Sequence, residues 1–141
     1  MKDIDVTDDA AKLPRDREPA IRVLAMPADT NAAGDIFGGW LMSQVDIAGS
    51  IAAYKHARGR VVTVAVNSFQ FVKPVFVGDL VSCYSEVVRV GRTSVVVDVK
   101  AYAERERGNL ETELVAEAKL TYVAIDTERR PRPVAPLEHS Q

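Results

Sequence analysis

The sequence predicts an α+β fold in which a five-stranded antiparallel sheet wraps around one long helix. Three observations predict it. Helical spacing of apolar residues is sustained only between Gly38 and Ala57. Nearly everything after Arg60 alternates with period two between turn signals. At 141 residues with one cysteine, the chain is one domain's worth and must rely on its core, since one cysteine forms no internal disulfide.

Residues 1–19 read as a flexible lead, 20–126 as the ordered domain and 127–141, with three prolines and three arginines, as a flexible solvated tail. Ile21 to Met26 reads as a first strand ended by Pro27. A loop rich in Ala, Asp, Asn and Gly leads to the helix, whose C-terminal stop is expected at Gly59. Leu41, Val45, Ala48 and Ala52 share one stripe, with Ile47 and Ile51 beside it. Lys55, His56 and Arg58 suit the negative end of the helix dipole.

Val61 to Val72 is β-branched and aromatic, interrupted by Lys73-Pro74 and turned by Gly78-Asp79. The next strand sets Val81, Cys83, Ser85 and Val87 on one face, so Cys83 reads as a buried apolar residue. After the Gly91-Arg92 turn, Val95, Val97, Val99, Ala101 and Ala103 oppose Val96, Asp98, Lys100, Tyr102 and Glu104. In the last strand, Leu114, Ala116, Ala118, Leu120 and Tyr122 form the inward set. One strand precedes the helix and four follow, and their long edges invite pairing with another copy.

Composition excludes several classes. A net charge of −2 does not suit a protein held to nucleic acid by bulk positive charge. The acidic, polar first 20 residues do not resemble a signal peptide, and Gly38 to Tyr54 is too short and polar to span a membrane, so a cytoplasmic location is expected. There is no G-x-S-x-G elbow, phosphate loop or His/Cys cluster, so neither metal nor cofactor is expected.

The chemistry gathers around the helix. Asp46 is the one charged residue between Gly39 and Tyr54, and its neighbours Val45, Ile47 and Ala48 are apolar. A carboxylate there is costly to bury unless it is paired or used, although a wet stripe with Ser43, Gln44 and Ser50 would also accommodate it. Gly38-Gly39 opens the helix, where free amides and the dipole favour an oxyanion; a tight loop-to-helix turn is the plainer reading. Asp46 lies about two turns further in, roughly 10 Å along the axis. A two-fold dimer would bring Asp46 of one chain near the helix start of the other.

The run Asn31 to Asp46, NAAGDIFGGWLMSQVD, resembles the N-x-x-G-x-x-x-G-G-x(6)-D signature of hotdog-fold acyl-CoA thioesterases, closest to the YciA-type bacterial acyl-CoA hydrolases. Phe71 to Asp79 resembles that family's F-x-x-P-x-x-x-G-D turn, and Gly91 to Ser94 its G-R-T-S turn. The resemblance implies a hotdog fold, acyl-CoA hydrolysis, and dimers built up to trimers of dimers with sites at subunit interfaces. It implies that Asp46 is the general base or nucleophile, that Asn31 of a partner subunit helps hold the water or thioester, and that the Gly39 amide, with Gly38, receives the carbonyl oxygen. Coenzyme A would then enter as part of the substrate.

Arg92, with Thr93 and Ser94, has the strongest claim to the coenzyme A phosphates through that resemblance. Lys73, Arg58 and Arg60 are further cations, each of which also reads as ordinary surface charge. The strand holding Asn67, Ser68 and Phe69 is a candidate path for the pantetheine arm, and Trp40, Leu41 and Val45 are candidates for an apolar acyl pocket. Two rival readings stand beside hydrolysis. One is a non-catalytic acyl-CoA-binding or sensing module. The other is a hydratase or dehydratase of the same fold, disfavoured because residues 27–50 contain no histidine.

Overall fold

The computed structural model describes residues 12–106 and 108–138. Strand β1 spans Ile21–Leu24, and a short 3-10 turn covers Pro27–Asp29. Helix α1 is Gly38–Ala57; β2 is Val61–Phe71, β3 Leu80–Val90, β4 Ser94–Glu106 and β5 Leu110–Ala124. The five strands form one sheet ordered β1-β3-β4-β5-β2, with every pairing antiparallel. Consecutive strands β3, β4 and β5 make the centre, as short turns dictate. The long strand β2 is left at an edge.

The helix buries Leu41, Val45, Ala48, Ala53 and Ala57. The first four pack with Val81, Val97, Val99, Ala101 and Leu120 from the sheet in one core. Fully burying a side chain such as Val45 or Leu120 stabilises the fold by about 1.5–3 kcal/mol. Cys83 is in this core, and burial pushes its thiol up to about 12. No helix among the described residues is long and apolar enough to cross a membrane.

The alternation read for the last strand shifts at a bulge. The β4–β5 register slips between Ala101 and Tyr102, so Val115 is the extra residue and is buried beside Ala116, whereas Leu114 is only half-buried. Strand β2 has two irregularities, between Thr63 and Ala65 and between Val66 and Ser68. Each bulge re-aims the side chains around it.

The helix ends at Ala57, as its apolar spacing predicts, but the left-handed residue that stops it is Arg58 and not Gly59. Arg58 adopts the left-handed conformation (φ 59°), and its N–H donates to the Tyr54 carbonyl. Gly59, the next residue, is crowded from outside the helix. A Cβ there would lie 2.6 Å from a guanidinium nitrogen of Arg132, which donates 2.9 Å to the Ala57 carbonyl.

That contact corrects the reading of residues 127–138 as a flexible tail. Asp126 Oδ1 accepts from the amides of Glu128 and Arg130, and the chain doubles back so that Ile125 bridges Pro131. Arg132 N–H donates to the Ala124 carbonyl, Val134 N–H donates to the Arg92 carbonyl, and Val134 packs on the core. The segment is a strap across the helix end. Residues 139–141 of the expected tail, and 1–11 of the expected lead, lie outside the described residues. Within 12–19 the lead is not free, since the Arg17 guanidinium sits 5.8 Å from the Tyr84 ring centroid.

The turn from Phe71 to Asp79 is held by a buried pair. Arg105 Nε and a terminal nitrogen donate to the two Asp79 oxygens at 2.9 and 2.7 Å, and Phe76 N–H adds 2.9 Å to one of them. Removing one partner of such a pair costs about 3–5 kcal/mol, because the other charge is stranded.

Candidate functional site

Asp46 projects from α1 toward the junction of β2 and β5. Thr63 and Tyr122 are directly paired there, and both reach it. Thr63 Oγ1 donates to Asp46 Oδ1 at 2.8 Å, and the Tyr122 hydroxyl lies 3.0 Å from that oxygen and 2.9 Å from the Asp46 backbone carbonyl. Both side-chain contacts fall on Oδ1. Oδ2 accepts no hydrogen bond from the described residues. The carboxylate is half-buried, so its orientation is fixed while water retains access.

Tyr122 itself is buried, and its hydroxyl is pushed well above the ordinary tyrosine range. Burial is the main cause, followed by the negative charge of Asp46 and the hydrogen bond to it. Tyr122 is therefore a permanent donor. Its reach depends on Gly49, three residues after Asp46. A Cβ at Gly49 would collide with the Tyr122 hydroxyl and lie 3.1 Å from Cζ of its ring. Neither Gly49 nor Thr63 is singled out by the sequence reading. A small residue one turn beyond an isolated acid is the available signal for the first, whereas nothing local points to the second.

The helix start is bare. Phe37 occupies the cap position without a side-chain bond, and the helical ladder begins with Trp40 and Leu41 donating to the Phe37 carbonyl. The Gly38 and Gly39 amides precede that ladder. A Cβ at Gly39 would meet nothing within 4 Å, so packing within this chain does not require glycine there. At Gly38 it would touch the Phe71 ring at 3.3 Å. Beside this end lies a cavity of about 300 Å³ lined by Phe37, Gly38, Leu41, Phe71, Lys73 and Val75, among others. Its lining is mostly apolar.

Asn31 sits in the loop before the helix. Its side-chain oxygen accepts from the amides of Ala33 (2.9 Å) and Asp35 (3.1 Å), so that atom shapes the loop. Its NH₂ group remains to donate. No hydrogen bond joins Asn31 to Asp46 within this chain.

Other candidates separate into those placed at the site and those placed elsewhere. Leu41 lines the cavity, but Val45 is wholly interior and Trp40 packs against the core, so neither lines it. Ser68 and Phe69 face opposite sides of β2. Ser68 lies on the outer face beside Asp98 and Lys119, while Phe69 turns inward and stacks on Phe71 with centroids 4.7 Å apart. The alternation of a strand separates the two. Lys73 is at the cavity rim, 3.1 Å from Glu113. Arg92 is exposed at the β3–β4 turn with Thr93 and Ser94, whose carbonyls accept from Ala124 N–H and Gly91 N–H. His56 is at the far helix end, its ring 2.8 Å from the Ala135 carbonyl. Ten residues of helix place it roughly 15 Å from Asp46. No cluster of His, Cys, Asp or Glu suited to a metal occurs among the described residues.

A family model described as the thioesterase superfamily matches residues 33–109. Acyl-CoA thioester hydrolase YciA of Escherichia coli (strain K12) is 50% identical over 114 residues, covering 79% of this chain and 86% of YciA. Cj0915, a hexameric hotdog fold thioesterase of Campylobacter jejuni, superposes with a TM-score of 0.82 at 44% identity, covering 86% of this chain and 93% of Cj0915. The chain belongs to the hotdog-fold acyl-CoA thioester hydrolases. A more distant member of that family is the acyl-CoA hydrolase of Staphylococcus aureus, solved as separate aspartate-to-alanine and threonine-to-alanine variants. Each shares 32% identity with a TM-score of 0.76 and covers 86% of this chain and 74% of its own. The two replaced residues are seventeen positions apart, the separation of Asp46 and Thr63.

Proposed function

We propose that this thioesterase-superfamily chain hydrolyses acyl-CoA to a free acid and coenzyme A in the cytoplasm, with Asp46 as the reacting carboxylate. The supporting observation is the asymmetry of that carboxylate: Oδ1 is anchored by Thr63 and Tyr122, and Oδ2 is left free. As general base, Oδ2 takes a proton from water while the water oxygen attacks the thioester carbonyl carbon. Negative charge gathers on the carbonyl oxygen and is met by the Gly39 N–H at a helix start, aided by Gly38. The intermediate collapses by breaking the carbon–sulfur bond. The thiolate leaves readily, since a thiol pKa near 8.5 is far below that of an alcohol, and Asp46 returns the proton. No cofactor is needed. As nucleophile, Oδ2 would attack the same carbon directly and form an anhydride that water opens.

The base and the amide come from different copies. Asp46 and its own Gly39 are separated by roughly 10 Å of helix, too far to serve one carbonyl. Exposed apolar residues border the carboxylate on both elements: Ile47 beside Asp46, and Val64 and Val66 beyond Thr63 on edge strand β2. A second copy on that seam covers them and brings its own Gly39 and Asn31 NH₂ to the first copy's Asp46. Three such dimers give the hexamer described for Cj0915. The acyl chain lies in the apolar cavity beside the helix start, and Arg92 meets the coenzyme A phosphates.

Thiol release from a panel of acyl-CoAs tests the activity. Asp46→Asn keeps the Thr63 contact and should lower kcat by about 10²–10⁴-fold while coenzyme A affinity holds. Turnover that survives this change removes the assignment. Labelled oxygen entering the Asp46 carboxylate in a single turnover identifies the nucleophilic route.

A further inference from the structure

We propose that the C-terminal strap, residues 131–135, is a positioning element for coenzyme A binding, acting through the backbone of Arg92. The inference rests on the reading that Arg92 meets the phosphates, and its test separates the two.

The tip of a hairpin is ordinarily mobile. Two carbonyls of the β3–β4 tip are held from outside the hairpin. Thr93 O accepts from Ala124 N–H at 3.0 Å, a contact the neighbouring strand supplies, and Arg92 O accepts from Val134 N–H at 2.9 Å. The second bond spans 42 residues and needs the whole strap. The strap is itself fixed at three points: the Asp126 turn before it, the Arg132 guanidinium on the Ala57 carbonyl, and the Ala135 carbonyl against His56. The half-buried Val134 side chain packs against the core, which helps hold its N–H in place. Pro131 and Pro133 restrict the backbone in between.

The sheet does not need this bond. All five strands are paired through contacts in which the strap takes no part. What the bond fixes is the base of an exposed arginine. An arginine that grips phosphate with two parallel hydrogen bonds binds best when its backbone is already in place, because less freedom is lost on binding.

The experiment compares KM for an acyl-CoA with KM for the matching acyl-pantetheine thioester, which lacks the phosphates. Arg92→Ala should raise KM for acyl-CoA about tenfold, the loss of one charge-assisted contact. Val134→Pro removes the N–H while keeping an apolar ring, and should raise it roughly fivefold with kcat held. KM for the pantetheine thioester should be unchanged in both. The double variant should be no worse than Arg92→Ala alone, because the strap acts through that residue. A chain ending at Arg132, which keeps the guanidinium cap, should reproduce the split if Val134→Pro folds poorly. Unchanged KM for acyl-CoA in Arg92→Ala overturns the reading of Arg92 itself. Raised KM in Arg92→Ala beside unchanged KM in both strap variants overturns the strap alone. So does an equal change with both substrates, or additivity in the double variant.

Discussion

The two ends of the one helix are built in opposite ways. At its C-terminus, Arg58 supplies the left-handed residue, Arg132 reaches over Gly59 to the Ala57 carbonyl, and Lys55 offsets the dipole. At its N-terminus there is no side-chain cap, no acidic residue in the first turn, and a glycine whose Cβ position is open space. A helix normally gains about 1 kcal/mol from an N-cap serine, threonine or aspartate. Forgoing that at one end while satisfying the other leaves the Gly38 and Gly39 amides without a cap from the described residues, which supports the oxyanion role proposed for them. A developing oxyanion fits, since it needs donors that no side chain already occupies.

This contrast can be broken most directly at Gly39. Gly39→Pro removes the N–H in a first turn that tolerates proline, so the fold should persist while kcat falls about 10²–10³-fold. Gly39→Ala keeps the N–H and adds a methyl to open space, and should leave the melting temperature nearly unchanged. Its kcat then reports whether a substrate or second copy fills that space. Activity kinetics with circular dichroism on both variants would settle the matter, and full activity in the proline variant would return the bare end to a plain loop-to-helix turn.

At the other end the expected effect is on stability. Arg132→Ala should cost about 1–3 kcal/mol, seen as a lower denaturant midpoint, with kcat kept. A loss of kcat without loss of stability would mean that the two ends are not separate in function.

The smallest effect concerns the core between them. The folded state holds the Cys83 thiol protonated up to about 12, against 9.0 for an ordinary cysteine thiol. The unfolded chain therefore loses that proton first as pH rises, and the stability is present below pH 9 and lost between 9 and 12. Tyr122 adds a loss of the same sign above pH 10, its ordinary value. Cys83→Ala should flatten the decline in melting temperature that begins near pH 9, measured against the parent over pH 8 to 12.

The sequence by itself determined the single helix, the presence of all five strands, β2 and β3 almost to the residue, and the inward faces of β3 and β4, because turn residues and alternation are local signals. It also marked Asp46 and Gly39, since an acid among apolar residues and a glycine pair at a helix start stand out without any partner. Only the tertiary structure decided which oxygen of Asp46 is free. That depends on Thr63 and Tyr122, seventeen and 76 residues away, meeting at one register of β2 on β5, and on Gly49 leaving room for a ring. The inward turn of Phe69, the burial of Val115 at a bulge, and the strap formed from an apparent tail were decided there too. Bulges reset alternation, and a proline- and arginine-rich segment reads as solvated until a helix end and a hairpin tip give its polar groups partners.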